Sequence, residues 1–170
     1  SDLASESQLQ LDQDVDHHAI AKPSIETIGH QLAAIMGQSP FVAHTFTRFH
    51  YEDGKMCGKV DANPALIGNP NFQILHGGVA ATILDSVGGI VAMGELYKRT
   101  EPDDLPDTIK KVTRLATVDM RVDYLAPGRG KYFIARAETL RLGRKGCTMR
   151  MTMVNDEDKP IATAIASYAY

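Results

Sequence analysis

The chain lacks the features that mark several large classes of protein. Its 170 residues carry a formal net charge of −3 and a sequence pI of about 6.0, so no basic surface predicts nucleic acid as a partner. Only two cysteines occur, Cys57 and Cys147, far apart and without metal-ligand spacing. This argues against a disulfide framework and gives no indication of a metal site. Both are expected to be small strand residues in a reducing cytosol.

Membrane segments and nucleotide-binding motifs are also missing from the sequence. The most apolar stretch is interrupted by Thr82, Asp85, Ser86 and glycines, so no run reaches membrane-spanning length. The N-terminus has no basic region followed by an apolar block, and we expect no signal peptide. A soluble cytoplasmic protein without a membrane partner is therefore predicted. The motifs GxxxxGKS, GxGxxG and GxSxG are absent, and no cofactor is expected.

The segment from Val79 to Met93 is apolar nearly all round, and Asp85 is its only charged residue. A helix of this kind belongs in a protein interior. An aspartate there costs free energy unless it is paired, hydrogen-bonded or protonated. The preceding His76-Gly77-Gly78 leaves backbone N–H groups unobstructed at the helix end that attracts negative charge. The carboxylate and this helix start together indicate acyl chemistry, and hence an enzyme.

The other segments predict one further helix and six strands. The helix carries an apolar face from Ile25 to Met36 and stops at Gly37. A charged, proline-bearing connection is expected from Glu101 to Lys111. Clean alternation places Val118, Met120, Val122 and Tyr124 on one strand face, and Thr117 with three charged residues on the other. The predicted strands are Phe41–Tyr51, Met56–Val60, Thr117–Leu125, Lys131–Arg141, Cys147–Val154 and Pro160–Tyr170.

These elements predict an α+β fold in which a curved, six-stranded antiparallel sheet wraps around the long central helix. The helix is the only element apolar enough to fill the core of such a sheet. Residues 23–170 are expected to form this single domain. Residues 1–22 form a polar, acidic arm, either loose or a short docked helix, and its His17-His18 pair has no further metal ligands spaced around it.

Two stretches, NFQILHGGVAATILDSVGG and ATVDMRVDYLAPG, resemble the hotdog-fold acyl-CoA thioesterases of the phenylacetate-type branch. The resemblance covers residues 40–170. Its most specific part is the spacing from His76-Gly77-Gly78 to Asp85. It implies the same sheet around a helix, an acyl-CoA substrate or an acyl-carrier thioester, and hydrolysis to a free acid and a thiol. It also implies a homodimer that pairs, in some members, into a tetramer.

The resemblance gives roles to four residues near the helix. The backbone N–H of Gly77 would donate to the thioester carbonyl, with Gly78 allowing close approach. Asp85 would act as nucleophile or as general base on water. Thr117 would hydrogen-bond the attacking water or the carboxylate, although an ordinary strand threonine fits its position equally well.

His76 and Asn71 are the other candidates near the helix start. His76 either polarises the carbonyl or holds the loop. The family commonly has an asparagine six residues before this histidine, but Pro70 occupies that position here. The departure leaves Asn71 as a weaker substrate-binding candidate.

Coenzyme A carries phosphates, which favour cations at the mouth of a binding site. Arg141, Arg144 and Lys145 cluster at a predicted hairpin turn. They are candidate phosphate ligands, and solvated hairpin charge is the alternative interpretation. Hydrolysis needs only water, so coenzyme A enters as part of the substrate.

Geometry adds a reason to expect a dimer. Gly78 and Asp85 are seven residues apart, which separates them by about 10 Å along a helix axis. One chain therefore cannot easily hold one thioester with both. Two antiparallel helices in a symmetric dimer would place Gly77 of one subunit opposite the other subunit's carboxylate, with active sites at the interface.

Two other functions are alternatives to hydrolysis. Dehydratases and hydratases of the same fold need a histidine paired with an acid in a different motif, which is absent here. A non-catalytic hotdog protein that binds acyl-CoA as a sensor is the main alternative. Retention of Asp85 argues against it, and the acidic arm would bind DNA poorly.

Overall fold

The computed structural model describes residues 24–170, and the predicted arm at 1–22, with His17-His18, lies outside them. The described chain begins with two helices and a hairpin, continues through a small two-stranded sheet into a long helix, and ends with one more helix and four strands. The helices are α1 (Ile25–Gly37), α2 (Pro40–Ala43), α3 (Gly77–Lys98) and α4 (Leu105–Arg114). The strands are β1 (Arg48–Glu52), β2 (Lys55–Asp61), β3 (Ile67–Asn69), β4 (Ile74–Leu75), β5 (Ala116–Tyr124), β6 (Tyr132–Leu142), β7 (Gly146–Asn155) and β8 (Pro160–Ala169).

Six of these strands form one antiparallel sheet in the order β1-β2-β6-β7-β8-β5. β1 and β5 are its two edges, and β5 pairs only with β8 among the described strands. β3 and β4 form a separate two-stranded sheet just before α3. This order brings the last strand of the chain next to the first strand after the central helix.

The central helix α3 fills the concave side of the sheet. Its buried residues include Ile83, Leu84, Val87 and Ile90, which are at most 2% exposed, and they pack against the inward-facing methionines of β7. By length and composition α3 would also cross a membrane, but most of it is buried inside the fold. The predicted α+β hotdog fold, with six antiparallel strands around a long helix, is confirmed.

The strand predicted from Phe41 to Tyr51 begins too early. Residues Pro40–Ala43 form the short helix α2, and β1 starts only at Arg48. Pro40 suits a first helical position because its missing N–H would be unpaired there anyway. Phe41 is 65% exposed, so the aromatic content that suggested a strand does not reflect burial in the sheet.

The predicted connection from Glu101 to Lys111 is wrong for most of its length. A 3₁₀ turn at Pro102–Asp104 leads into the helix α4, which spans Leu105–Arg114. Pro106 lies in the first turn of α4, where proline is tolerated. An ion pair between Lys111 and Asp107, one helical turn apart, lies on its surface.

The predicted alternation of β5 is broken by a bulge. The register shifts between Thr117 and Asp119, so Val118 is an extra residue without a partner in β8 and is 66% exposed. One extra residue reverses which face the earlier residues occupy. Thr117 therefore lies on the same face as Met120, toward α3, and not on the opposite face as predicted.

Candidate active site

His76 caps the start of the central helix. Its Nδ1 accepts a hydrogen bond of 2.8 Å from the Gly78 N–H, and its backbone N–H donates to the Leu66 carbonyl at 2.8 Å. Because Nδ1 is the acceptor, the neutral ring carries its proton on Nε2. Of the two roles considered for His76, this geometry favours holding the loop and the helix start.

Gly77 presents the free donor at this helix start. No described residue accepts a hydrogen bond from its N–H, whereas the Gly78 N–H is occupied by His76. The Gly77 carbonyl accepts a 2.7 Å hydrogen bond from the Tyr124 hydroxyl. A Cβ on Gly77 would lie 3.1 Å from that ring, so glycine allows Tyr124 to pack directly on the backbone. The donor therefore belongs to a main-chain segment fixed on both sides.

A groove of about 540 Å³ opens beside this donor. Apolar residues of β4, of the first turn of α3 and of the segment from Tyr124 to Gly128 line most of it. Such a groove fits an apolar chain better than a charged group. The Gly77 N–H thus lies at the wall of an apolar groove.

Asp85 lies two helical turns further along α3 and is half-buried. Its Oδ1 accepts hydrogen bonds from Thr117 Oγ1 at 2.8 Å and from the Tyr168 hydroxyl at 3.1 Å. Tyr168 also donates to the Asp85 backbone carbonyl at 2.8 Å. No described residue donates to Oδ2. The carboxylate is therefore oriented through one oxygen, and the other is left for water or substrate.

Tyr168 reaches Asp85 because the helix carries glycine at position 88. A Cβ on Gly88 would overlap the Tyr168 hydroxyl and would lie 2.8 Å from Met151 Sδ. Tyr168 is 2% exposed. Burial, followed by the nearby charge of Asp85, raises the pKa of Tyr168 well above its usual value of 10.0. The phenol consequently remains a proton donor at neutral pH.

The helix start and the carboxylate lie at opposite ends of β5. Thr117 pairs with Tyr168 near the end of β8, whereas Tyr124 pairs with Ala162 near its beginning. Along α3 the eight residues from Gly77 to Asp85 span about 12 Å. The structure thus brings Asp85 and Thr117 together, and Gly77, Gly78 and His76 together, but keeps these two groups apart within one chain.

The hairpin cations lie at the carboxylate end of the sheet. Arg141, Arg144 and Lys145 surround the β6–β7 turn, and none forms an ion pair with a described residue. The turn is tied to the end of the chain by Tyr170, whose backbone N–H donates to the Lys145 carbonyl at 3.1 Å. Gly146 pairs with Ala169, which in turn pairs with Ala116 next to Thr117.

Asn71 lies in the turn between β3 and β4, upstream of the helix start. It is exposed, and its backbone N–H donates to Asn69 Oδ1 at 3.0 Å. Its side chain forms no hydrogen bond within residues 24–170. The structure therefore places Asn71 on the approach to α3 without fixing its amide.

A family model described as the thioesterase superfamily matches residues 72–162, the region that holds both the helix start and the carboxylate. The chain belongs to the thioesterase superfamily. The hotdog thioesterase family predicted from the sequence is confirmed, and with it the enzyme class; the phenylacetate-type branch stays a prediction.

Individual relatives match between 62% and 87% of this chain. A protein of Escherichia coli K12 named medium/long-chain acyl-CoA thioesterase YigI is 33% identical over 148 residues, covering 87% of this chain and 94% of that protein. Its namesake in Salmonella typhimurium LT2 is 40% identical over 105 residues, covering 62% and 68%. A thioesterase-superfamily crystal structure from Shewanella oneidensis superposes with a TM-score of 0.80 at 33% identity, covering 87% and 98%.

Sequence reasoning missed Tyr124, Tyr168 and Gly88. The two tyrosines lie 47 and 83 residues from their backbone partners on α3, so no local pattern reveals the contacts. Gly88 was visible only as a small residue in an apolar helix. A glycine on a helix face that must meet the sheet is the one signal that would have indicated a close approach.

Proposed function

We propose that this protein hydrolyses acyl-CoA thioesters to a free acid and coenzyme A. Membership of the thioesterase superfamily supports the reaction, and the names of the relatives support medium- to long-chain acyl groups. The observation that carries the proposal is the half-buried Asp85 carboxylate, oriented by two hydroxyl donors on Oδ1 with Oδ2 left open. An activated water can attack the carbonyl carbon of a thioester without a metal ion.

Asp85 acts in this proposal as nucleophile or as general base. As a base, Oδ2 takes a proton from water while the water oxygen attacks the carbonyl carbon, and the proton later leaves with the thiol. As a nucleophile, Oδ2 attacks the carbonyl carbon, the C–S bond breaks and the coenzyme A thiolate leaves to be protonated; water then hydrolyses the mixed anhydride to the acid and regenerates the Asp85 carboxylate. Thr117 and Tyr168 hold the carboxylate in both routes, and both routes yield the same products.

The Gly77 N–H stabilises the negative charge that develops on the thioester oxygen. It is a main-chain donor at a helix N-terminus, and the helix macrodipole favours negative charge there. His76 fixes this helix start through Gly78, and Gly78 leaves room for the substrate. The apolar groove beside Gly77 receives the acyl chain, and Asn71 contacts the substrate from the loop before α3.

The catalytic unit in this proposal is a homodimer, alone or paired into a tetramer. β5 is an edge strand, and its exposed apolar residues include Val118 at 66%, Tyr124 at 55% and the following Leu125 at 57%. An unprotected edge of this kind pairs readily with a second copy. Antiparallel pairing of two β5 strands brings Gly77 of one subunit toward Asp85 of the partner subunit, which closes the separation found within one chain.

The phosphates of coenzyme A are assigned to Arg141, Arg144 and Lys145. These side chains lie at the carboxylate end of the sheet and have no acidic partner among the described residues. Arginine and lysine side chains form strong, charge-assisted hydrogen bonds with phosphate oxygens. We also propose a cytoplasmic location, because acyl-CoA and free coenzyme A occur there.

The test is thiol release from a series of acyl-CoA esters, from acetyl to palmitoyl and including phenylacetyl, by wild type and by Asp85→Asn. Because the amide cannot act as base or nucleophile, we expect a loss of about 10²–10⁴-fold in turnover. Asp107→Asn, on the surface of α4, is the matched control and should retain the wild-type rate. Tight binding of every ester without thiol release would replace hydrolysis by the sensor function.

A further inference from the structure

A cluster of potential metal ligands lies on the opposite side of the sheet from α3. His50 and Glu52 belong to β1, and Cys57 on β2 is the register partner of His50. The adjacent residues point inward, because a Cβ on Gly58 would touch Val87 of α3. His50, Glu52 and Cys57 therefore share the outer face, which the catalytic groups do not use.

The distances within this cluster fit a tetrahedral metal site. Cys57 Sγ lies 3.4 Å from Glu52 Oε2, and His50 Nε2 lies 3.6 Å from the same oxygen. One ligand atom from each residue lies within 4.8 Å of the other two. Tetrahedral zinc with ordinary bond lengths separates its ligand atoms by about 3.3–3.5 Å. Only small side-chain adjustments are thus needed to close three ligands around one ion.

We propose that His50, Glu52 and Cys57 form a binding site for a divalent transition-metal cation of the zinc type. Nitrogen, carboxylate oxygen and sulfur are the ligands that this class of ion selects. Binding forms a bond from Sγ to the metal, and the thiol proton passes to water. A fourth ligand from solvent fits, because a surface pocket of about 440 Å³ borders Glu52 and Cys57.

Arg136 is the group that opposes the cation. Its Nη2 lies 3.5 Å from Glu52 Oε2 and its side chain is 42% exposed. A guanidinium at this distance competes with the metal for the carboxylate and repels it. Since the side chain is long and half in solvent, it swings away at small cost. Its removal should therefore strengthen binding of a cation at Glu52.

A nucleophilic cysteine is the alternative function for the same residues. In that arrangement the thiol would donate to the histidine, which would take its proton. Here Cys57 donates to Glu52 instead. The geometry therefore favours a ligand over a nucleophile.

The experiment is a titration of the untagged full chain with Co²⁺, followed by displacement with Zn²⁺. We expect one Co²⁺ per chain and a thiolate-to-cobalt absorption band in the near ultraviolet. Cys57→Ser should abolish the band, and His50→Gln or Glu52→Gln should weaken binding by about 100-fold. Arg136→Gln should tighten binding several-fold. Cys147→Ala is the matched control, because this second cysteine lies in the core on the inner face.

Circular dichroism checks that each variant folds, and the partly exposed His50 and Glu52 keep the test usable if Cys57→Ser does not fold. The proposal is overturned if millimolar Co²⁺ produces no thiolate band. It is equally overturned if the band survives in Cys57→Ser, or if folded His50→Gln and Glu52→Gln bind as wild type does. None of these readouts depends on thioester hydrolysis.

Discussion

Replacing Tyr168 by phenylalanine tests how the carboxylate is held. The change keeps the ring in its niche beside Gly88 and removes only the hydroxyl. Two hydrogen bonds are lost, one of 2.8 Å to the Asp85 carbonyl and one of 3.1 Å to Oδ1. A neutral hydrogen bond contributes about 1 kcal/mol net and one to a charged group about 1.5–3 kcal/mol. One hydroxyl hydrogen is shared between the two acceptors, so the contributions do not add in full, and we expect the free energy of unfolding to fall by about 2 kcal/mol.

Turnover should fall as well, since Thr117 alone would then orient Oδ1. A misplacement that costs the transition state about 1.4–2.8 kcal/mol lowers the rate by about 10- to 100-fold. Tyr168 is buried and lies behind the carboxylate, so the loss should appear in kcat while KM stays nearly constant. This pattern marks a positioning residue. The assays are thiol release over a range of substrate concentrations and urea unfolding of both proteins.

Tyr51→Phe is the matched control for this substitution. The Tyr51 hydroxyl is also buried, but it has no hydrogen-bond partner within the described chain. Removing an unsatisfied polar group costs nothing and relieves its desolvation, so this variant should be fully active and at least as stable as wild type. If Tyr168→Phe loses no more stability or kcat than Tyr51→Phe does, the positioning role is refuted.

Three further predictions concern the same helix and sheet. Gly88→Ala should destabilise the fold by about 1–3 kcal/mol through overpacking and should lower kcat. Gly94 has open space around it, so Gly94→Ala should change neither stability nor kcat in the same assays. Folding raises the pKa of Tyr168, so its contribution to the free energy of unfolding should be fully present below about pH 10. This contribution should be lost progressively as the pH rises above that value. Urea unfolding of Tyr168→Phe should show a shallower alkaline decline. Val118→Lys, on the exposed edge, should sediment as a monomer and lose turnover, and an active monomer would contradict the shared site.

The sequence is sufficient to predict the central helix because its signal is local and strong. A mostly apolar segment with one charged residue predicts a buried helix, and α3 extends the predicted Val79–Met93 by only a few residues at each end. The proximity of Thr117 to Asp85 was expected only from the family resemblance. Strand alternation alone pointed the other way, because a bulge at Val118 has no pattern of its own in the sequence.

Contacts set by tertiary pairing are the part that the sequence does not reveal. Tyr168 meets Asp85 because β5 and β8 pair in one particular register and because Gly88 admits the ring. The cluster of His50, Glu52 and Cys57 likewise depends on hairpin register, since only cross-strand pairing places Cys57 beside His50. Motif spacing in the linear chain detects neither arrangement.

The proposed division of the site between two subunits can be tested by mixing two inactive variants. Asp85→Asn removes the carboxylate, and Gly77→Pro removes the donor N–H. The proline Cβ would lie 3.1 Å from the Tyr124 ring, which must shift slightly to admit it. Proline suits this first helical position, and the extended backbone of His76, with ψ of 130°, suits the residue before it. Each homodimer should be inactive. In a mixed dimer, one site combines Gly77 of the first variant with Asp85 of the second, and the other site has neither.

Random mixing of equal amounts makes half of the dimers mixed, each with one intact site of two, so about a quarter of wild-type turnover should return. The variants are unfolded together and refolded to exchange subunits, and gel filtration confirms that dimers form. Refolding each variant alone is the control and should restore no turnover. If the mixture stays as inactive as its parents, both groups act within one chain. The 12 Å between them would then have to be closed by bending of α3, and no glycine pair or proline lies between Gly78 and Asp85 to permit a kink.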